Sequence, residues 1–185
     1  GIGRAMVASL LSAGHRIAAL DYDAKGLNAL MAEHGSHPNL YTIEADLSTA
    51  NGCEAGIGAA VAHFGRVEAV VNNAGIGVSS LRPDAETRLP SLEELSAAVW
   101  ERFFAINVTA PMLLTRAAAP MMRAAGWGRI INIASAHGLV ASPYKVAYVA
   151  AKHGVVGMTK VVALEIAETP ITCNAICPGF VRTPL

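Results

Sequence analysis

Tyr148 and Lys152 close the run Tyr148-Val149-Ala150-Ala151-Lys152, which is rich in Ala and Val and has no Gly or Pro inside it. Such a run favours helix. Residues at i and i+4 share a helix face, so a phenol and an ammonium are presented side by side. Ser135, which follows the apolar residues 129–134, can approach both. The chemistry on offer is proton transfer. A free tyrosine titrates near ~10 and is a poor base at neutral pH. A unit positive charge at ~4 Å, in an effective dielectric of ~20, stabilises the phenolate by roughly 4 kcal/mol, or about three pK units. Lys152 is therefore expected to bring Tyr148 toward neutrality. The same pair occurs on ordinary helices, so the rest of the chain must decide.

The elements that would position this set read as one domain. With 185 residues and 53% hydrophobic content, the chain can bury a sizeable core. Its formal net charge is zero and only 15% of residues are charged, which argues against a nucleic-acid surface and for a small neutral or singly charged substrate. No apolar run reaches the ~18 residues of a membrane span, and the first residues lack a signal-peptide layout. The expectation is a soluble, cytoplasmic protein without membrane partners. Cys53, Cys173 and Cys177 form an odd set without zinc-type pairing, so they are read as small buried hydrophobes, with no disulfide framework and no metal. Of the histidines, His137 draws attention because it lies two residues after Ser135.

Taken in order, Gly1-Ile2-Gly3 leads into a helical pattern over 4–11 that stops at Gly14. A strand over 16–20 follows and ends at Asp21. Glycines at a helix N-terminus let backbone amides approach a diphosphate, and an acid ~20 residues later can bind ribose hydroxyls. Asp21 stands in that place, and its carboxylate would repel a 2′-phosphate, which favours NAD over NADP. A plain helix start is the alternative. Helix over 24–33, strand over 40–44, helix over 54–64 and strand over 67–71 continue the alternation. That order predicts an α/β fold, a Rossmann-type doubly wound parallel sheet, with ligands at the carboxyl ends of its strands. Asp46-Leu47 and Asn72-Asn73-Ala74-Gly75 fall at such ends, although either could be turn chemistry. Residues 76–90 read as a polar loop, and Ser91 with Glu94 as a capping box opening a helix. One long helix is expected over 99–125. Within it, Asn107 sits among apolar residues and needs a defined partner, structural or catalytic. Strands at 129–134 and 171–176 flank the Tyr-Lys helix, and a loop carrying Pro178, Gly179, Phe180, Thr183 and Pro184 ends the chain.

The ordered set Gly1-Ile2-Gly3, Asp46, Asn72-Asn73-Ala74-Gly75, Asn107, Ser135, Tyr148-x-x-x-Lys152 and Pro178-Gly179 resembles the short-chain dehydrogenase/reductases over nearly the whole chain. The resemblance implies that Tyr148 is the general acid/base, and that Ser135 holds the substrate carbonyl or alcohol. It implies that Lys152 binds the nicotinamide ribose and lowers the tyrosine pKa, and that Asn107 holds a water in the proton relay. It further implies a cofactor site at Gly1, Ile2, Gly3, Asp21, Asp46, Leu47, Asn73, Ala74, Gly75, Tyr148, Lys152, Pro178 and Gly179. A homotetramer assembled through the long helices is also implied.

Residues 130–159 look more particularly like the 3-hydroxybutyrate dehydrogenases. By that likeness His137 and Lys145 bind the substrate carboxylate, to which both can donate, and Phe180 lies in the substrate site. The alternatives are a loop-end His and a solvated Lys. Gly77 stands where those enzymes usually carry a glutamine, and Phe180 where a tryptophan is common. Relative to the family, the first strand and the C-terminal substrate lid are absent, so the expectation is a fragment spanning 1–185, with strands left short of a ladder partner. The expected function is NAD-dependent hydride transfer between nicotinamide and a secondary alcohol or ketone, with a short 3-hydroxy acid as substrate. A 3-oxoacyl thioester reductase is the alternative within the class. A non-catalytic dinucleotide-binding module, or an inactive fragment, is the alternative outside it.

Overall fold

The computed structural model describes residues 1–182; the loop expected at Thr183 and Pro184 lies outside them. Its elements are α1 (Ile2–Ser12), β1 (Ile17–Asp21), α2 (Ala24–Glu33), β2 (Leu40–Glu44), α3 (Ala50–Phe64), β3 (Ala69–Asn72), α4 (Ala97–Phe104), α5 (Ala110–Ala125), β4 (Gly128–Ile133), α6 (Val146–Glu165) and β5 (Ile171–Ile176). Local chemistry sets several boundaries. Gly14, at φ +81°, follows the C-cap of α1, a backbone state that glycine enters freely. The Asp23 carboxylate accepts from Lys25 N–H to start α2, and Thr49 Oγ1 accepts from Gly52 N–H to start α3.

All strand pairs are parallel. β1 pairs with β2, and β4 lies between β3 and β5. Side chains alternate across β1. Ile17 and Ala19 pack with Leu11 of α1 and Leu30 of α2, while Ala18 and Leu20 join the main core with Cys53 of α3 and Leu113 of α5. Helices therefore cover both faces of that ladder, which is the doubly wound arrangement. Among the described residues, β1 and β3 have no ladder between them.

Three expectations need correction. The single helix over 99–125 is two helices joined by a π-helical turn, Ala105–Thr109, with Asn107 at its centre. Ser91 does not open a helix. Its N–H does reach the Glu94 carboxylate at 2.9 Å, but its hydroxyl, which a capping box turns to the backbone three residues on, donates to the Glu93 carboxylate at 2.8 Å; the segment closes as turns and Ser96 caps α4. Cys53 and Cys173 are buried, whereas Cys177 is only half-buried; all three are free. Among the described residues, no helix is long and apolar enough to cross a membrane.

Candidate active site

The parallel ladder brings the carboxyl ends of β3, β4 and β5 to one edge, where Asn72 stands opposite Asn132 and Ile133 opposite Ile176. Beyond the strands, Ala134 N–H donates to Ile176 O and Ala136 N–H to Pro178 O, both at 2.8 Å. Those bonds fix the loop carrying Ser135 beside the loop carrying Pro178 and Gly179. Ser135 is buried and caps a short 3-10 turn, Ala136–Gly138. Its Oγ accepts from His137 N–H at 3.1 Å, which leaves the hydroxyl hydrogen free to donate to a substrate oxygen. Gly138 permits the turn to lie against α6, because a Cβ there would stand 2.8 Å from the Lys152 carbonyl oxygen.

On α6, Lys152 is 6% exposed and donates from Nζ to the Ile133 carbonyl at 3.0 Å. Nζ lies 5.9 Å from the centroid of the Tyr148 ring. Burial pushes the ammonium down to about 8, because removing water disfavours its charged form. Tyr148 is half-buried and packs beside Leu81, Phe103 and Ala147.

Asn107 reaches the same place from the π-helical turn. Its Nδ2 donates to Ile76 O at 3.2 Å and Phe103 O at 3.1 Å, while the buried Oδ1 has no partner. A Cβ built on Gly75 would lie 2.6 Å from that oxygen and 3.7 Å from Lys152 Nζ. The loop after β3, the π-turn and α6 therefore meet around one unpaired acceptor.

The other end of the cleft is the N-terminus of α1, whose amides carry no side-chain cap. A Cβ on Gly3 would lie 2.8 Å from Asn73 Nδ2, so Gly1, Ile2 and Gly3 sit close to the Asn73-Ala74-Gly75 loop. Free helix amides with a glycine-shaped floor suit a diphosphate. Asp21 ends β1, exposed, with Oδ1 accepting from Asp23 N–H at 3.1 Å. Asp46 is exposed, and its hydrogen bonds from the Ser48 hydroxyl and backbone hold its carboxyl below the usual range. The Leu47 side chain points elsewhere, into the main core.

His137 lies beside Tyr148, with the two ring centroids 6.0 Å apart in an edge-on arrangement. Burial and then the charge of Lys145 push its pKa below the ordinary value. Lys145 is the N-cap of α6. Phe180 is not gathered into the site: it is fully exposed, with no packing partner in the core clusters of the described residues.

Sequence reasoning passed over a buried polar chain behind the site. Asn72 Nδ2 donates to Thr115 Oγ1 of α5 at 3.3 Å and to Asn132 Oδ1 at 2.7 Å; Asn132 Nδ2 donates to Thr159 Oγ1 of α6 at 2.9 Å. The signal was present. Asn132 interrupts Ile130-Ile131-Asn132-Ile133, and an asparagine in a buried strand demands partners just as Asn107 does.

The chain belongs to the short chain dehydrogenase family, whose sequence model matches residues 1–185. It is 51% identical over 122 residues to a D-beta-hydroxybutyrate dehydrogenase of Rhizobium meliloti (strain 1021), an alignment covering 66% of this chain and 43% of the relative. It is 43% identical over 186 residues to a D-beta-hydroxybutyrate dehydrogenase of Cupriavidus necator, covering 100% of this chain and 68% of the relative. Among solved structures it resembles ElxO with NADP bound, at a TM-score of 0.85 and 25% identity, over 100% of this chain and 70% of that one. The family binds a nicotinamide dinucleotide, and the uncapped N-terminus of α1 with the glycine floor at Gly3 fits the diphosphate of such a ligand.

Proposed function

We propose that this chain is the cofactor-binding and catalytic domain of an NAD-dependent dehydrogenase that interconverts a secondary alcohol and a ketone, with a short 3-hydroxy acid such as 3-hydroxybutyrate as substrate. The reading rests on the meeting of Ser135, Tyr148 and Lys152 at the end of β4. When bound, the nicotinamide accepts or returns hydride. In the oxidation direction Tyr148 takes the hydroxyl proton, and Ser135 donates a hydrogen bond to the same oxygen. Lys152 holds the nicotinamide ribose and steadies the phenolate, while Asn107 Oδ1 keeps a water through which the proton leaves. Gly1, Ile2, Gly3, Asn73, Ala74 and Gly75 hold the diphosphate side. Asp46, with the Leu47 backbone, holds the adenine side, and Pro178 with Gly179 borders the nicotinamide.

The Asp21 carboxylate supports NAD: it is exposed where ribose hydroxyls would lie, and the neighbouring Tyr22 and Asp23 bring no cation for a 2′-phosphate. His137, whose ring stands beside Tyr148, and Lys145, whose charge is felt at His137, support an acidic substrate, since both can donate to a carboxylate. Gly77 favours a second reading, an acyl thioester reductase, because nothing lies within 4 Å of a Cβ placed there and no side-chain amide is supplied. Exposed Met112, Val161 and Leu164 on α5 and α6 support self-association of these helices, and a cytoplasmic enzyme is the setting we assign.

One set of steady-state measurements separates these readings. Lys145→Met should raise KM for 3-hydroxybutyrate about 10- to 100-fold, the worth of one charge-assisted hydrogen bond, while leaving a neutral secondary alcohol nearly unaffected. NAD should exceed NADP in kcat/KM, and Asp21→Ser should narrow that gap. An equal effect of Lys145→Met on both substrates would return the assignment to the thioester or generic reductase.

A further inference from the structure

His137 is held at two points. Its backbone N–H donates to Ser135 Oγ at 3.1 Å, and its ring Nε2 lies 3.0 Å from Ser142 Oγ. Ser142 is half-buried in the loop between the 3-10 turn and α6. The path of that loop is unusual, because Tyr144 adopts φ +64°, a left-handed state costly for a bulky side chain. Ser142 stands opposite His137 two residues before that turn, ahead of Lys145, the N-cap of α6.

A neutral imidazole has one donor nitrogen and one acceptor nitrogen, and the bond made by one decides the role of the other. Burial and the Lys145 charge disfavour a second ring proton. A carboxylate only accepts, so a neutral His137 can assist it only through its single N–H. Nε2 is engaged by a hydroxyl that is able to donate. The donor left for an acidic substrate is then Nδ1.

We infer that Ser142 is a positioning residue: its hydroxyl donates to His137 Nε2, fixes the plane of the imidazole and keeps the ring proton on Nδ1. Its effect on KM rests on the hydroxy-acid reading above, whereas the tautomer does not. The geometry makes Ser142 a determinant of acid specificity that touches no substrate atom itself.

The test uses the full-length protein with 15N-labelled histidine at neutral pH, the His137 resonances being assigned by their loss in His137→Gln. Wild-type His137 should show the Nδ1–H tautomer, Ser142→Ala should move it toward Nε2–H, and Ser142→Thr should restore it. In parallel, Ser142→Ala should raise KM for 3-hydroxybutyrate about 2- to 10-fold, the range of one neutral hydrogen bond, with kcat little changed and a neutral alcohol unaffected. An Nε2–H tautomer in the wild type, or a tautomer indifferent to Ser142→Ala, overturns the inference. A tautomer that follows Ser142 while acidic and neutral substrates respond alike upholds the Ser142 assignment and removes the hydroxy-acid reading instead.

Discussion

Lys152 Nζ donates to the backbone carbonyl of Ile133 at 3.0 Å, linking the middle of α6 to the last residue of β4. The bond anchors an ammonium that burial has pushed from 10.5 to about 8. A lysine with a lowered folded value costs stability wherever it is charged in both states. That cost is full below about pH 8 and vanishes as the pH approaches 10.5, because over that window the unfolded chain binds the extra proton and stability rises with pH. Lys152→Met should therefore be more stable than wild type at neutral pH. The gain should be about 1 to 3 kcal/mol, the upper figure reflecting burial and the lower one allowing for the lost hydrogen bond. Denaturant unfolding at several pH values checks this: the gap should narrow steadily between pH 8 and 10.5, and a constant gap would show that Lys152 is not strained by its burial.

Gly75 leaves room for Asn107. A methyl group there would stand 2.6 Å from Asn107 Oδ1 and 3.7 Å from Lys152 Nζ, and the oxygen is buried with little freedom to retreat. Gly75→Ala should lower turnover about 10²-fold, since misplacing a catalytic group by ~1 Å has that effect. Gly58, exposed on α3 with open space around its Cβ position, is the control. Gly58→Ala should leave activity intact and add up to about 1 kcal/mol of stability. Similar kinetics for the two variants would contradict the crowded site.

The paired asparagines of β3 and β4 should be costly to separate. Asn132→Ala strips partners from Asn72 and Thr159 and opens a buried space, so it should destabilise by about 2 to 4 kcal/mol. Asn72→Ala should give a similar loss, and the double variant clearly less than the sum. Urea unfolding of the three proteins decides, and strict additivity would mean that the pair is not coupled.

Much of the site was legible because local rules governed it. The spacing of Tyr148 and Lys152 requires only that α6 be helical, and the alternation of strands and helices put Ser135, Asn73 and Pro178 at strand ends. The break at Asn107 was not legible, because Ala105-Ile106-Asn107-Val108-Thr109 contains no Gly or Pro and its π geometry depends on distant acceptors such as Ile76 O. Ser91 with Glu94 carried a valid capping signal, but the Ser91 hydroxyl bonds the Glu93 carboxylate. Ser142 escaped notice because its meeting with His137 depends on the path of the irregular loop between them, which follows no sequence period.

The central claim is that Tyr148 carries the proton, and Tyr148→Phe in the full-length protein tests it most directly, because the change removes one oxygen and leaves the ring packed beside Phe103 and Ala147. Turnover of 3-hydroxybutyrate at saturating substrate and NAD should fall by about 10²-fold or more, the typical cost of losing a general acid/base, while NADH affinity measured by fluorescence titration stays near the wild-type value. Turnover close to wild type with unchanged NADH binding would contradict the account.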